Sequence, residues 1–421
     1  MGNDSTVAGK IKTQITRFSH RISRSLSKPT RRFVAQMIYG IQASKDVKLS
    51  NISRSLNEGI VLIKTEGRLS RHMGKGDLSA QINQALVAGG ALRVSDDTVI
   101  ALDISDLDKP YARKMENLAW VRDGSTGERR SRGYWLFGAF GADVEGEDLI
   151  PLYAELYSQE AIGFLSENAQ ILDVVDRVTE GTGTRGIWAI DRGGDRGVLL
   201  KGMLGRQLKF VIRLEGKRHL ITQGGAKKGA LKIAWGCSCP HSRQIVIHRD
   251  KEVKKKTISV GHVRVQLPFH KEWLGLMVVK GYGEKPLMLL TNVDPEDPLR
   301  ILEIYLTRWK CEESYRFIKQ GYNLEDVRVM SYTALRNTVV LVQAVFYFVS
   351  VELGKKVKLN ILLKKIFEKA KRFFEIPEFR QYAIADGIYS ILFASKTGIT
   401  PTLAGAENKH QLTLPFAIEL S

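Results

Sequence analysis

Two aspartates close short apolar runs. Thr98-Val-Ile-Ala-Leu-Asp103 and Gly186-Ile-Trp-Ala-Ile-Asp191 are β-branched and apolar between polar flanks, a pattern that predicts two buried strands. A carboxylate there is costly unless it meets an edge, a partner or a metal ion. Capping of a turn or helix would account for either aspartate taken singly. Taken together they allow more. Hard divalent cations take oxygen ligands, and carboxylates delivered by separate elements can share them. Two such ions about 3.5–4 Å apart activate the attacking oxygen and stabilise the leaving oxygen of a phosphodiester. That chemistry calls for a third carboxylate from a later element.

The stretch Tyr305-Leu-Thr-Arg308-Trp-Lys-Cys-Glu312-Glu-Ser-Tyr-Arg-Phe-Ile-Lys319 supplies one. Arg308, Glu312 and Lys319 fall four and seven residues apart, and Tyr305 lies seven before Glu312, so all four share one helical face. A solvated ion-pair face would explain Arg308 and Glu312, but not why Tyr305 joins them. The spacing Tyr-x2-Arg-x3-Glu-x6-Lys resembles the YREK signature of the DDE transposases grouped as insertion-sequence family four. The resemblance covers residues 95–345, with the two aspartates in Ala101-Leu-Asp103-Ile-Ser-Asp106 and Asp191-Arg-Gly-Gly-Asp195-Arg-Gly.

The resemblance implies that Asp103, Asp191 and Glu312 are the catalytic residues and hold two Mg2+ ions, for which Mn2+ can substitute. It also implies that Tyr305, Arg308 and Lys319 contact DNA phosphates, as suits a hydroxyl and two cations on one face. Asp106, Asp108, Asp195 and Glu313 stand close to the same positions. Asp195 reads as the cap of the following helix, and Glu313 points about 100° away from Glu312. One position departs from the family. Members often carry a tryptophan just before the strand corresponding to Met288-Leu-Leu-Thr291, where it stacks on a base flipped from the cleaved end. Here the residue is Leu287, so either Trp273 or Trp309 stacks from elsewhere or this step differs.

These residues need a scaffold, and the flanking patterns predict one. After the strand at Asp103, two antiparallel strands are expected over Tyr134–Ala142 and Asp148–Tyr157, joined by a turn at Val144-Glu-Gly-Glu. A helix over Glu160–Glu180, the strand ending at Asp191, a short helix over Gly197–Leu204 and a strand over Lys209–Arg213 follow. This is an α/β order of the ribonuclease-H-like type. Residues 214–285 read as a mostly β insertion, with runs at Gln244–His248, Thr257–Leu267 and Trp273–Val279. Leu287–Thr291 returns to the core, and Pro298–Gln320 reads as one long helix. The expected divisions are 1–94, 95–213, 214–285, 286–350 and 351–421.

Lys and Arg number 64 against 45 acids, a net charge of +19, which favours a polyanionic partner such as nucleic acid over a merely soluble surface. The surplus begins early: no acid occurs between Asp4 and Asp46, while nine Lys and Arg do. Phe33, Met37, Ile38 and Ile41 then recur at helical spacing. Leu49, Ile52 and Leu56 mark another helix, Asn57-Glu58-Gly59 a turn, and Ile63–His72 a further helix. A helix-turn-helix of this kind would present Arg68, Arg71 and His72 to a major groove. Residues 1–94 are therefore expected to form a basic helical DNA-binding domain.

The three cysteines are too few for a disulfide framework and suit a reducing cytoplasm. Cys237-Ser-Cys239-Pro-His241 lacks a fourth zinc ligand at usable spacing. Lys251–Lys256 reads as a solvated turn that could equally reach DNA, and Lys355–Arg372 as a basic amphipathic helix. Residues 400–421 read as a loosely held tail. Val339–Val351 is apolar but too short to span a bilayer. No phosphate-binding loop of the GxxxxGK[ST] type occurs, so ATP use is not expected. The expectation is a transposase that cuts the ends of a mobile element in double-stranded DNA, joins them to a target, and works as a homodimer on DNA. The alternatives are a protein that occupies the ends without cutting and a related nuclease without strand transfer.

Overall fold

The computed structural model describes residues 2–122, 130–144, 148–249, 252–294, 297–359, 361 and 380–408. Outside them lie residues 145–147 of the turn expected at 144–147, most of the amphipathic helix expected over 355–372, and residues 409–421. The chain forms two compact units, one of Met1–Leu86, Asp108–Leu118 and Arg316–Ser421, the other of Val87–Leu107 and Ala119–Tyr315.

In the first unit the helices are α1 (Gly2–Ile22), α2 (Lys28–Ser44), α3 (Leu49–Leu56) and α4 (Leu62–Gly74), with α5 (Ser79–Ala91) running on into the second unit. Phe33, Met37, Ile38 and Ile41 are all buried, as their spacing requires. Asn57 ends α3 in the left-handed region, at φ 45°, which Asn tolerates better than most residues. C-terminal segments complete this unit. The Lys12 ammonium donates to the Thr397 carbonyl and hydroxyl, each at 2.6 Å, and Gln42 bridges the Tyr322 hydroxyl and the Ala385 carbonyl. A helix over Thr400–Asn408 belongs here too, with Leu403 buried, so the start of the expected loose tail is held. The apolar run also extends beyond its expected length. Tyr332–Glu352 is long and apolar enough to cross a membrane, yet 89% of its most apolar window is buried within the protein.

The second unit is built on a sheet of twelve strands among the described residues. They are β1 (Val99–Asp108), β2 (Ala119–Arg122), β3 (Arg130–Ala142), β4 (Leu149–Tyr157), β5 (Ile187–Ile190), β6 (Lys209–Arg213), β7 (His219–Thr222), β8 (Lys227–Gly229), β9 (His241–Arg249), β10 (Glu252–Gln266), β11 (Leu274–Lys280) and β12 (Leu287–Thr291). Their order is β2-β3-β1-β5-β6-β12-β11-β10-β7-β8, with β4 on β3 and β9 on β10. β1, β5 and β6 run parallel, and β12 returns antiparallel to β6. Strands of the expected insertion thus extend the same sheet, since β11 pairs with β12 from Gly275↔Thr291 to Val279↔Leu287.

Helix α6 (Glu167–Thr182) starts later than expected, because the Ser166 hydroxyl accepts from the Ala169 amide at 3.1 Å and fixes its first turn there. Helices α7 (Gly197–Gly205) and α8 (Ala230–Gly236) follow β5 and β8. The expected single helix over Pro298–Gln320 is two, α9 (Pro298–Thr307) and α10 (Trp309–Gly321). At the junction the Arg308 amide bonds Tyr305 three residues back, at 3.2 Å, which tightens the turn. Lys251–Lys256 is also corrected: residues 252–256 are strand, paired from Glu252↔Arg249 to Lys256↔Ile245.

Alternate residues of the central strands bury one face of the sheet. Val99, Ile187, Ala189, Val211, Met277, Val279, Leu287 and Leu289 pack with Ile301, Leu302, Ile304 and Tyr305 of α9. Each fully buried aliphatic side chain contributes about 1.5–3 kcal/mol. This packing fixes α9, and through the tight turn it fixes where α10 begins.

Candidate active site

The parallel register between β1 and β5 decides the position of the two aspartates. Leu102 stands opposite Ile190, so Asp103 and Asp191 are the next residues on neighbouring chains, where β5 ends and the parallel pairing stops while β1 runs on to Asp108. Ligand sites in open α/β sheets form at such ends. Glu312 arrives in the first turn of α10.

Arg308 ties the set together. Its guanidinium donates to Asp103 Oδ2 at 2.8 Å and to Glu312 Oε1 at 2.6 Å, and it lies 5.8 Å from the centroid of the Tyr305 ring. Glu312 keeps half its side chain in solvent, while those of Asp103 and Arg308 are mostly covered. Burial pushes the Asp103 carboxyl up to about 6. Arg308 opposes that shift, the nearby Asp191 adds to it, the Ile104 amide opposes it, and Glu312 adds to it. Asp191 accepts from the Gly193 amide at 2.7 Å, opening a short 3-10 turn.

Two further residues shape this corner. The Tyr315 hydroxyl donates to the Asp103 carbonyl at 2.6 Å, tying the middle of β1 to α10. Burial holds that phenol well above its usual range. Gly138 leaves the room for it, because a Cβ there would stand 2.7 Å from the hydroxyl and 2.5 Å from the Phe140 ring. Sequence reasoning missed Tyr315. The available signal was its place three residues after Glu312 on the same helix.

The other expected residues fall as follows. Tyr305 is only 6% exposed and belongs to the core under α9. Lys319 lies in the first unit, 3.4 Å from Glu325. Arg68 pairs with Glu58 at 2.6 Å and donates to Gln36 at 2.7 Å, whereas Arg71 is exposed. Glu313 is buried, away from the exposed Glu312. Asp195 is not a helix cap: its carboxylate accepts from the Glu215 amide and from Arg218. Leu287 lines a cleft of about 440 Å³ with Arg192, Arg213, Tyr282 and Lys285. Trp273 and Trp309 are absent from its lining, and its aromatic side chain is that of Tyr282. Burial raises the Cys237 thiol to about 11, which disfavours the thiolate that zinc requires.

Among the described residues, no three His, Cys, Asp or Glu side chains are already gathered to hold a metal ion. The donor types at Asp103, Asp191 and Glu312 nonetheless fit a hard divalent cation. Burial, with the acidic neighbours, disfavours the charged form of Asp103, a strain that a cation would relieve, and Arg308 stands between two of the three.

Residues 166–348 match the family model described as a transposase DDE domain, a span that contains Asp191 and Glu312 and begins after Asp103. The match supports a transposase. No curated protein matches the chain. Among solved structures, the cryo-EM structure of piggyBac transposase synaptic complex with hairpin DNA is similar at 9% identity. It covers 96% of this chain and 80% of that chain, with a TM-score of 0.44.

Proposed function

We propose that the chain is a DDE transposase that cuts DNA at the ends of a mobile element and joins the freed ends to target DNA. One observation carries this reading: adjacent parallel strands deliver Asp103 and Asp191 side by side, and α10 brings Glu312 to the same guanidinium as Asp103. The order β4-β3-β1-β5-β6, with β1, β5 and β6 parallel, supports a ribonuclease-H-like core around them.

Asp103, Asp191 and Glu312 would hold two Mg2+ ions. When bound, these ions lower the pKa of the attacking hydroxyl and stabilise the leaving oxygen. The chain's own residues do the rest. Tyr315 fixes the Asp103 backbone, and Asp191 is oriented by the Gly193 amide. Arg308 pairs with Asp103 and Glu312 in the resting protein and, released from them, is placed to meet a phosphate. Tyr305 supports that guanidinium from the core side. Lys319, Arg68 and Arg71 are proposed DNA contacts further from the chemistry, with the basic N-terminal helices binding the terminal repeats. In the first step water attacks phosphorus and the element's 3′ oxygen leaves. In the second that 3′ hydroxyl attacks a target phosphorus and the target's 3′ oxygen leaves. Bond count is conserved in the second step, so no nucleotide cofactor is needed. Joining two ends calls for a homodimer on DNA.

A nuclease without strand transfer is distinguished by its product. Pre-cut element ends, supercoiled plasmid and Mg2+ should yield end–plasmid joints with the wild-type protein. Cleavage of ends with no joint in either Mg2+ or Mn2+ would favour the nuclease.

A further inference from the structure

Strands β9 and β10 outrun the sheet. β10 pairs with β11 only from Ser259 onward, whereas its pairing with β9 continues to Glu252↔Arg249. Over the six register pairs from Gln244↔Thr257 to Arg249↔Glu252, no third strand joins among the described residues. At about 3.3 Å per residue this is a two-stranded ribbon on the order of 20 Å long. Its base is anchored. Ile258 and Val260 are fully buried, Ile245 packs against the same cluster, and Arg243 pairs with Glu303 on α9.

Beyond that base the composition is cationic. In sequence, the described residues of the free stretch hold Arg249, Lys254, Lys255 and Lys256 against one acid, Glu252. Lys255 and Lys256 are both exposed. As successive strand residues they point to opposite faces of the ribbon. A ribbon lying on one phosphate row needs cations on one face. A ribbon set edge-on in a groove has a phosphate row beside each face and can use cations on both. The major groove of B-DNA, about 12 Å wide, admits a two-stranded ribbon.

We propose that the β9–β10 ribbon enters the major groove of duplex DNA and holds it through phosphate contacts from Lys255 and Lys256. This rests on the reading that the chain acts on duplex DNA, and assigns that contact to an element remote in sequence from the N-terminal helices. Neither lysine belongs to the carboxylate site.

The test is fluorescence anisotropy of a labelled 30-base-pair duplex with the full chain, wild type against Lys255→Gln/Lys256→Gln, across a series of KCl concentrations. Each lost phosphate contact lowers the slope of log affinity on log salt by about 0.9. The double variant should therefore show a slope smaller by about 1.8, and at least tenfold weaker binding in low salt. Lys255→Arg/Lys256→Arg should retain wild-type binding. A duplex whose major groove is filled by glucosylated hydroxymethylcytosine should bind the wild type more weakly, and the Gln variant should not discriminate. Wild-type binding with an unchanged slope in the Gln variant would overturn the ribbon contact alone, leaving the lysines as guards of an open sheet edge. Equal wild-type affinity for the filled and open grooves would overturn groove entry. A wild type that binds no duplex would overturn the wider reading as well.

Discussion

Asp103→Asn is expected to reduce Mg2+-dependent cleavage at an element end by at least a thousandfold, while binding of that end persists. Asp103 is more enclosed than Glu312, its carboxylate held by the Arg308 guanidinium and its carbonyl by the Tyr315 hydroxyl. An amide keeps the shape and loses the charge. Charge stabilisation by bound metal is worth several kcal/mol at the transition state, and each 1.36 kcal/mol is tenfold in rate, so about 4 kcal/mol accounts for the loss. Cation uptake reports the same change without catalysis. Saturating Mg2+ should raise the thermal midpoint of the wild-type protein at pH 8 and leave that of the variant unmoved. The pH direction follows from the carboxyl standing near 6. Its charged form predominates above that pH and is lost as pH falls through it, so the Mg2+ stabilisation should fade below about pH 6. A variant that still cleaves within tenfold of wild type would remove Asp103 from the site.

Asp195→Ala should produce the largest loss of stability. The Asp195 carboxylate is 5% exposed and its partner Arg218 is 15% exposed. The same carboxylate accepts the Glu215 amide at 2.9 Å, and Arg218 also donates to the Asp195 carbonyl at 3.0 Å. Removing it leaves a covered guanidinium and a backbone donor without their acceptor. Breaking one side of a buried pair costs about 3–5 kcal/mol. Urea unfolding should show that loss, and Asp195→Ala/Arg218→Ala should lose less than the single variant because no lone charge remains. A single variant within 1 kcal/mol of wild type would show that solvent already satisfies Arg218.

The contrast between Asp191 and Asp195 shows what could be read from sequence. The run Ile187–Ile190 and its terminal Asp191 were legible because a buried strand writes its apolar pattern locally. Asp195 looked like a cap because caps are local too, and its actual partner lies 23 residues on, in a segment no local pattern connects to it. The site divides in the same way. Helical spacing put Arg308 and Glu312 on one face, and the structure joins them. No spacing shows that Arg308 also reaches Asp103, since that depends on α9 packing against the central strands. The break at Arg308 escaped because a single i→i+3 bond leaves the apolar period almost unchanged. Pairing of β11 with β12, and of β12 with β6, brings the expected insertion into the main sheet, is non-local and leaves no mark on composition.

The central claim is that Asp103, Asp191 and Glu312 together support metal-dependent DNA cleavage. The most direct measurement is nicking of a labelled duplex carrying the element's end, with and without Mg2+, by wild type and by Glu312→Gln. The account predicts nicking at the end only with Mg2+ and the wild-type protein, and binding without nicking for the variant. Cutting that survives Glu312→Gln, or a wild type that binds but never cuts in Mg2+ or Mn2+, would contradict it.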